Sequence, residues 1–324
     1  MLDRGAMVTP LARESLPKVA VGCMNFGKRT PEDESVRVIA RAFERGVTWL
    51  DTANVYNDGE SERIVGRAIA RDRDRCLVAT KVGLARSAGK VEGLSPARVL
   101  RAIDESLERL GTGHVDVYYL HAPDRAVPIA ETLSAVEEIL RAGKARAWGM
   151  SNFASWQVLD AMNLADARGM AKPIVAQQMY NAMIRQLDVE WFAFTRTHPI
   201  HTTIYNPLAG GLLTGKHARS SEPEKGSRFD GNRMYQRRYW SDRMFDFVDA
   251  MSAVAKEESM TLVDLAYAFC AQGKGVDSVL LGPASVAQLD AGIDACQLPL
   301  RDSAKKKLDD LSIAFQGTDA TYAR

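Results

Sequence analysis

The sequence is poor in cysteine and histidine, and their spacing does not suit a metal site. Its 324 residues include only four cysteines and five histidines. The cysteines lie far apart, with no C-x-x-C pair and no metal-ligand spacing to a histidine, at Cys23, Cys76, Cys270 and Cys296. This usage predicts no bound metal and a reducing, cytoplasmic environment.

The chain also lacks an excess of charge and any long apolar run. Lys and Arg number 42 against 41 Asp and Glu, so a net charge of +1 gives no global field for nucleic acid or an anionic membrane. No run approaches the ~20 apolar residues of a membrane span, and charges and prolines interrupt the opening "MLDRGAMVTPLARESLP". We therefore expect neither nucleic-acid binding, nor secretion, nor membrane insertion. The 46% hydrophobic content is that of a globular protein with an ample core.

Two nucleotide-binding motifs are missing. The chain has no G-x-G-x-x-G, which disfavours a Rossmann unit. "GGLLTGKH", ending at His217, fails the P-loop pattern by one residue, because the histidine replaces the Mg²⁺-binding hydroxyl. No apolar strand ending in an acidic Walker B candidate accompanies it in a doubly wound context, so a P-loop hydrolase is disfavoured. Glycine backbone amides beside Lys216 still suit a phosphate group.

Short apolar runs alternate with amphipathic stretches along the chain, which is typical of βα units around a parallel sheet. Eight such runs, each followed by a helical stretch, favour an α/β fold of the (β/α)8 TIM-barrel class. Periodicity alone leaves an open doubly wound sheet as the alternative. The strands are predicted at residues 18–22, 48–51, 76–81, 115–121, 145–151, 174–178, 201–206 and 277–282.

Local patterns predict the packing of several helical residues. Thr30-Pro31 begins a helix that would bury one face, formed by Val36, Ile39, Ala40 and Phe43. Three tryptophans are expected to serve packing, namely Trp49, Trp148 and Trp156.

One interval breaks the alternation of strands and helices. Some fifty residues rich in Gly, Ser, Arg and aromatics follow the seventh strand before the next regular helix. Long irregular segments are usually functional loops or lids, and in a barrel this one would lie over the active face. We predict a single domain over residues 1–324 with this loop insertion at about 208–240.

Polar residues terminate the predicted strands. Because the carboxyl ends of barrel strands meet at one face, these residues are expected to converge there. Taken singly, each has an ordinary structural explanation such as a turn cap or a packed aromatic. The residues at the strand ends are Asp51, Lys81, His121, Ser151, Asn152, Gln177, Tyr205, Asn206 and Gly282, and Tyr56 follows the second strand by five residues.

An acid, a lysine, a phenol and a histidine in one pocket suit proton transfer. Tyrosine has an ordinary pKa near ~10, and an ammonium ~4 Å away at an effective dielectric of ~20 would favour the phenolate by ~4 kcal/mol. We expect Lys81 to lower the pKa of Tyr56 towards neutrality, against desolvation. Asp51 would orient Lys81, and His121 would hydrogen-bond a substrate oxygen. Hydride would have to come from a cofactor, since no side chain supplies one.

These residues stand in motifs that run nearly from end to end of the chain. They include "GCMNFG", "LDTANVYNDGESE", "YYLHAPD", "GMSNF", "QQMYN", "YNPLAGGLLTGK" and "LLGPASVAQLD". The sequence resembles the aldo-keto reductases. Within that superfamily it is most similar to the branch of aflatoxin aldehyde and succinic semialdehyde reductases, through "RFDGN", "RRYW" and the final Tyr322-Ala323-Arg324.

The resemblance implies a catalytic tetrad of Asp51, Tyr56, Lys81 and His121, with Tyr56 the proton donor, and a bound NADPH, with NADH as the second choice. No Lys or Arg lies between Leu280 and Gly292, and the asparagine that relatives carry near the adenine is replaced by Ala291-Gly292. The implied cofactor-binding residues are Ser151, Asn152, Gln177, Tyr205, Asn206, Leu208, Gly210, Leu212, Lys216, Arg228, Gly282, Ser285 and Gln288.

The same resemblance implies a substrate that is a small aldehyde, with preference for one bearing a carboxylate or a second carbonyl group. His121, Arg238 and Arg324 would bind it, with Arg237 as the less secure match to the loop arginine. Guanidinium groups bind carboxylates bidentately, whereas composition alone favours a solvated loop with arginines stacked on aromatics. Relatives of this branch also suggest a homodimer.

A second function remains open at this point. The sequence is also similar to the potassium-channel β subunits, which share the barrel and bind NADP(H) while serving chiefly as redox-sensing partners. The arginine-rich loop and Arg324 favour the reductase, and turnover of aldehydes distinguishes the two functions.

Overall fold

Eight parallel strands close into a barrel in the computed structural model, which describes residues 9–87, 89–318 and 320. Each strand pairs with its neighbour in sequence, and Ala20 joins the first strand to Trp49 of the second and Leu280 of the eighth. This closure confirms the predicted (β/α)8 fold and excludes the open sheet. Every predicted strand boundary lies within one residue of the observed one. The barrel strands are Val19–Gly22, Trp49–Asp51, Leu77–Val82, Val115–Leu120, Ala145–Ser151, Val175–Met179, His201–Tyr205 and Ser278–Leu281.

Helices surround the barrel. One follows each of the first six strands, three follow the seventh and two follow the eighth. Within the described part of the chain, no helix combines the length and apolar content that crossing a bilayer requires. The helices are α1 Glu32–Glu44, α2 Glu60–Ile69, α3 Pro96–Leu110, α4 Ile129–Arg141, α5 Ser155–Ala167, α6 Trp191–Thr197, α7 Arg233–Tyr239, α8 Asp242–Glu257, α9 Leu262–Ala271, α10 Val286–Gln297 and α11 Asp302–Gln316.

Two packing predictions are wrong in part. The buried face of α1 is formed by Ser35, Val38, Ile39 and Ala42, whereas Val36 and Ala40 are exposed. The buried face lies one position before the predicted one, and it includes Ser35, whose hydroxyl donates to Pro31 O at 2.8 Å. Trp49 and Trp148 are buried, but Trp156 of α5 is 67% exposed.

The amino-terminal segment closes one end of the barrel. Leu11 and Leu16 pack with Trp49 and Tyr119 in an apolar cluster inside the strands. Leu11 N donates to Arg146 O at 3.3 Å, near the start of the fifth strand. The opposite end, where the strands terminate, is therefore the one available for a site.

The long segment after the seventh strand packs on its own aromatic residues. It contains a 3₁₀ helix, Ala209–Thr214, and α7. The ring of Phe229, which is fully buried, lies 4.9 Å from that of Trp240 and 5.1 Å from that of His217. The segment is therefore anchored by buried aromatic rings, while most of residues 215–228 is exposed and Arg228 stacks on Tyr235, as composition suggested. Whether residues 1–324 form a single domain stays a prediction.

Candidate active site

Asp51 and Lys81 form a fully buried ion pair inside the carboxyl end of the barrel. Lys81 Nζ donates to Asp51 Oδ1 and to the backbone oxygen of Thr52, the latter at 2.8 Å. Gln177 Nε2 donates to Asp51 Oδ2 at 2.8 Å. Both carboxylate oxygens are therefore occupied, which sets the orientation of the acid and, through it, of the ammonium.

Tyr56 reaches the same place from the loop after the second strand. Lys81 Nζ lies 5.2 Å from the centre of the Tyr56 ring, and the His121 ring centre lies 5.8 Å from it at 82°. The structure thus brings together the four residues of the predicted tetrad.

The loop that carries Tyr56 has a constrained backbone. Asn57, Asp58 and Gly59 all have left-handed conformations, with φ of 51°, 55° and 82°. A Cβ added at Gly59 would lie 2.5 Å from Arg109 Cδ, so both the conformation and the space require glycine there. Asn57 Nδ2 donates to Phe26 O at 2.6 Å, which ties the loop to the segment after the first strand. Gly59 forms a sharp turn, and α2 begins directly after it.

The expected lowering of the pKa of Tyr56 is wrong for this structure. Burial raises the pKa of Tyr56 well above its ordinary value, and the Asp51 carboxylate raises it further. Lys81 does not offset this, because its charge is compensated by Asp51 at contact distance. The phenol is therefore held protonated, as a proton donor must be before it acts.

His121 is held as a neutral imidazole. Burial lowers the pKa of His121 well below its ordinary value, and the nearby Lys81 ammonium adds to this. Its Nδ1 is enclosed and has no hydrogen-bond partner among the described residues. An enclosed nitrogen that carries only a lone pair costs less free energy than an enclosed N–H group without an acceptor. The imidazole proton is therefore favoured on Nε2.

The predicted nicotinamide-binding side chains form one hydrogen-bonded set. Ser151 Oγ donates to Gln177 O at 2.9 Å, and Asn152 Nδ2 donates to His121 O at 2.9 Å. Tyr205 OH donates to Asn152 Oδ1 at 2.7 Å. Burial raises the pKa of Tyr205 to about 12, so it also stays protonated. The set joins the ends of the fourth to seventh strands.

The segment after Asn206 has the backbone shape of a ligand cradle. Asn206, Ala209, Gly210 and Gly211 have positive φ values of 66°, 50°, 72° and 105°. Asn206 Oδ1 accepts from Gly210 N at 2.6 Å and stabilises this turn. A Cβ added at Gly282 would meet no atom within 4 Å, so there is open space at the end of the neighbouring eighth strand. Backbone amides beside open space fit the phosphates of a dinucleotide.

Four further predicted cofactor-binding residues differ in burial and in the contacts of their side chains. The Leu212 side chain is buried in the hydrophobic core, so it cannot provide a side-chain contact, and Leu208 is only partly buried. Lys216 lies on the surface, 3.3 Å from Glu224. Arg228 Nη2 donates to Asn25 Oδ1 at 2.9 Å, which links the long segment to the loop after the first strand.

The start of α10 carries an acidic neighbour that sequence reasoning missed. Ser285 Oγ accepts from Gln288 N at 3.3 Å, and Gln288 Oε1 accepts from Ala284 N at 2.9 Å, so both side chains cap the helix. Glu34 Oε1 of α1 accepts from Val286 N at 2.9 Å. Because residues 34 and 286 are far apart in sequence, no local pattern signals this contact.

Arg237 and Arg238 of the long loop differ in exposure and in orientation. Arg237 is exposed, whereas Arg238 is half-buried and its Cζ lies 5.7 Å and 6.0 Å from the rings of Tyr235 and Tyr239. Arg238 Nη1 lies 3.4 Å from Met179 Sδ, at the end of the sixth strand. Arg238 is thus the arginine directed to the barrel mouth. Arg324 lies outside the described residues.

A family model provides the identification. The model of the aldo/keto reductase family matches residues 18–313. The chain belongs to the aldo/keto reductase family. Aldo-keto reductases are oxidoreductases that typically use NAD(P)H, so this chain is an enzyme of that class. The resemblance seen in the sequence motifs is confirmed.

Individual relatives extend this result to most of the chain. "Aflatoxin B1 aldehyde reductase member 2" of Homo sapiens is 35% identical over 311 residues, or 90% of this chain and 86% of the relative. "Aldo-keto reductase family 7 member A3" of Homo sapiens is 35% identical over 296 residues, or 87% and 89% of the two chains. A "Probable voltage-gated potassium channel subunit beta" of Arabidopsis thaliana is 31% identical over 278 residues, or 84% of each chain.

Proposed function

We propose that this aldo-keto reductase reduces small aldehydes to alcohols with NADPH, and that Tyr56 donates the proton. The observation that carries the proposal is the meeting of a protonated phenol, a buried Asp51–Lys81 pair and a neutral His121 at one end of the barrel. The named aldehyde reductase among the relatives supports the choice of aldehydes.

The reaction adds a hydride to the carbonyl carbon and a proton to the carbonyl oxygen. A bound nicotinamide cofactor supplies the hydride when present. His121 orients the carbonyl by donating a hydrogen bond from Nε2 to its oxygen. Tyr56 then transfers its phenolic proton to that oxygen, and the Lys81 ammonium lies 5.2 Å from the centre of the phenol ring from which the proton leaves. Asp51 and Gln177 keep that ammonium in place.

The residues that would hold the cofactor extend across the barrel mouth. Ser151, Asn152 and Gln177 would bind the carboxamide, Tyr205 would stack on the ring, and the backbone after Asn206 would surround the phosphates. Arg228 and Lys216 provide positive charge on this path. We favour NADPH over NADH on the family relationship. A 2′-phosphate bound at the start of α10 would lie near the Glu34 carboxylate, which accepts from Val286 N.

We propose that the preferred substrate bears a carboxylate or a second carbonyl group. Arg238 faces the barrel mouth and makes no salt bridge to any described residue. An arginine that lacks an acidic partner beside the reacting centre suits an anionic substrate. Arg324 would assist by the same chemistry. A homodimer and a cytoplasmic location complete the proposal, and light scattering and cell fractionation test them.

The function is tested by NADPH and NADH oxidation at 340 nm with a panel of aldehydes. Tyr56→Phe keeps the ring but removes the acid, so kcat should fall by at least ~100-fold while cofactor binding persists. A Tyr56→Phe variant with wild-type turnover would contradict the role of the phenol.

A redox-sensing binding subunit is the second candidate function. The similarity to a plant potassium channel subunit supports it. Tight binding of NADPH without turnover of any aldehyde in the panel would favour that function over the reductase.

A further inference from the structure

A buried carboxylate, Glu92, joins the two segments that carry Tyr56 and Lys81. It follows a short antiparallel hairpin, Arg86–Ser87 paired with Lys90–Val91, that the sequence did not predict. The Glu92 side chain is only 6% exposed. It lies outside the sequence motifs described above, and its hydrogen bonds go to residues other than the four of the tetrad.

Four groups donate to this carboxylate. Oε1 accepts from Gly83 N at 2.7 Å, from Ala85 N at 3.1 Å and from Asn54 Nδ2 at 2.9 Å. Oε2 accepts from Arg98 Nε at 2.7 Å and from Asn54 Nδ2 at 3.1 Å. Both oxygens are therefore shared between the barrel loops and α3, which limits the freedom of every donor.

The donors flank the catalytic pair in sequence. Gly83 stands two residues after Lys81, and Asn54 stands two residues before Tyr56. The two segments also meet directly, because Asn54 N donates to Lys81 O at 3.2 Å. Glu92 is the one side chain among these contacts that binds both segments at once.

The local backbone is shaped around this carboxylate. Gly83 has a φ of 123°, which favours glycine, and a Cβ there would lie 2.9 Å from Leu94 Cδ2. Glu92 N donates back to Ala85 O at 2.8 Å, which completes the turn. Gly83 and the hairpin thus direct two amides at Glu92.

We propose that Glu92 is a positioning residue that sets the distance between the Tyr56 phenol and the Lys81 ammonium. The inference rests on the proposed function of Tyr56 as proton donor. Both oxygens of a carboxylate accept hydrogen bonds, whereas a glutamine in its place directs an N–H group at a neighbouring donor that already points towards position 92. Glu92→Gln therefore pushes one of the two segments away. A displacement of about 1 Å in a catalytic group lowers turnover by up to ~100-fold.

The test is steady-state kinetics of Glu92→Gln with an aldehyde that the wild type reduces. We expect kcat to fall ~10- to 100-fold, while the aldehyde KM and the NADPH Kd, measured by fluorescence titration, stay within about twofold. The matched control is Glu105→Gln, which removes the other carboxylate on Arg98, bound at 2.5 Å, and should leave kcat within about twofold.

Asn54→Ala provides a second route if Glu92→Gln does not fold. It removes the link to the Tyr56 segment but leaves Gly83, Ala85 and Arg98 on Glu92, and it deletes a buried Oδ1 that has no partner among the described residues. We expect a lower kcat and an unchanged cofactor Kd in a variant that is still folded at the assay temperature, as its thermal unfolding curve should show.

Two outcomes would overturn the proposal. One is a kcat within twofold of wild type in both variants, and the other is a loss of kcat that only follows a loss of cofactor affinity or folded protein. Wild-type turnover and its loss in Tyr56→Phe are measured in the same assay. If those fail, the proposed function is wrong, whereas a failure confined to Glu92 and Asn54 rejects only the positioning role.

Discussion

At the scale of single residues, the site is organised by desolvation. Burial raises the pKa of Tyr56 and lowers that of His121, so both groups are held uncharged. The one charge pair, Asp51 and Lys81, is retained in the interior because each oxygen of the acid is matched by a donor. The phenol keeps its proton until a carbonyl oxygen arrives to accept it.

Arg238 and Arg237 give a matched pair for testing the substrate. Arg238→Ala should lower kcat/KM for succinic semialdehyde ~10- to 100-fold relative to a neutral aldehyde of similar length, since a charged hydrogen bond contributes about 1.5–3 kcal/mol. Arg237→Ala, one residue away but exposed, should leave the ratio unchanged. Arg324→Ala tests the terminal arginine in the same way. An unchanged ratio in both Arg238→Ala and Arg324→Ala would refute the carboxylate preference.

At the scale of elements, functional contacts are made between helices and loops that are distant in sequence. The long segment after the seventh strand binds the loop after the first through Arg228 and Asn25, and α1 reaches the start of α10 through Glu34. Both contacts lie on the path predicted for the cofactor. If the cofactor follows that path, these contacts would set the charge that its adenosine end meets.

Glu34 is expected to weaken the binding of a 2′-phosphate. Glu34→Gln should tighten NADPH about five- to tenfold and leave NADH nearly unchanged, because it removes a negative charge at Val286 N and keeps an acceptor there. Binding titrations with both cofactors measure this. Asp33→Asn is the control, since Asp33 also contacts Arg37 but is 70% exposed. Equal shifts for the two cofactors would show that Glu34 does not act on the phosphate.

At the scale of the whole molecule, the two ends of the barrel differ in the residues that line them. The amino-terminal segment closes one end with apolar residues, and His201 at the start of the seventh strand is buried there. His201 Nε2 lies 2.5 Å from Ser278 Oγ, which in turn donates to Pro17 O, so the histidine is the donor in this chain. The other end carries the polar groups of the site.

This closed end predicts a loss of stability in mild acid. Burial lowers the pKa of His201 to about 4 from its model-peptide value of 6.5, so the unfolded chain binds more protons between these values. The contribution of His201 to stability is fully present above pH 6.5 and is lost as the pH drops towards 4. Urea unfolding of wild type and His201→Gln measures it. The variant should lose correspondingly less, and an identical pH dependence would contradict this account.

The alternation of strands and helices, the strand ends and the identity of the residues at those ends follow from the sequence alone. Short apolar runs, helical stretches and polar strand ends are local patterns. Closure of the sheet into a barrel, which periodicity left open, then places all strand ends on one face. The left-handed backbone at Gly59 is likewise a local feature, whereas the space taken there by Arg109 is not.

Only the tertiary structure decided the properties that depend on distant neighbours. The direction of the Tyr56 pKa shift depends on burial, which no spacing reveals. The choice of Arg238 over Arg237 depends on how α7 packs, and Glu34 and Glu92 reach partners on other elements. Desolvation and long-range hydrogen bonds arise only once the chain has closed on itself, so residue identity was available from the sequence and residue environment was not.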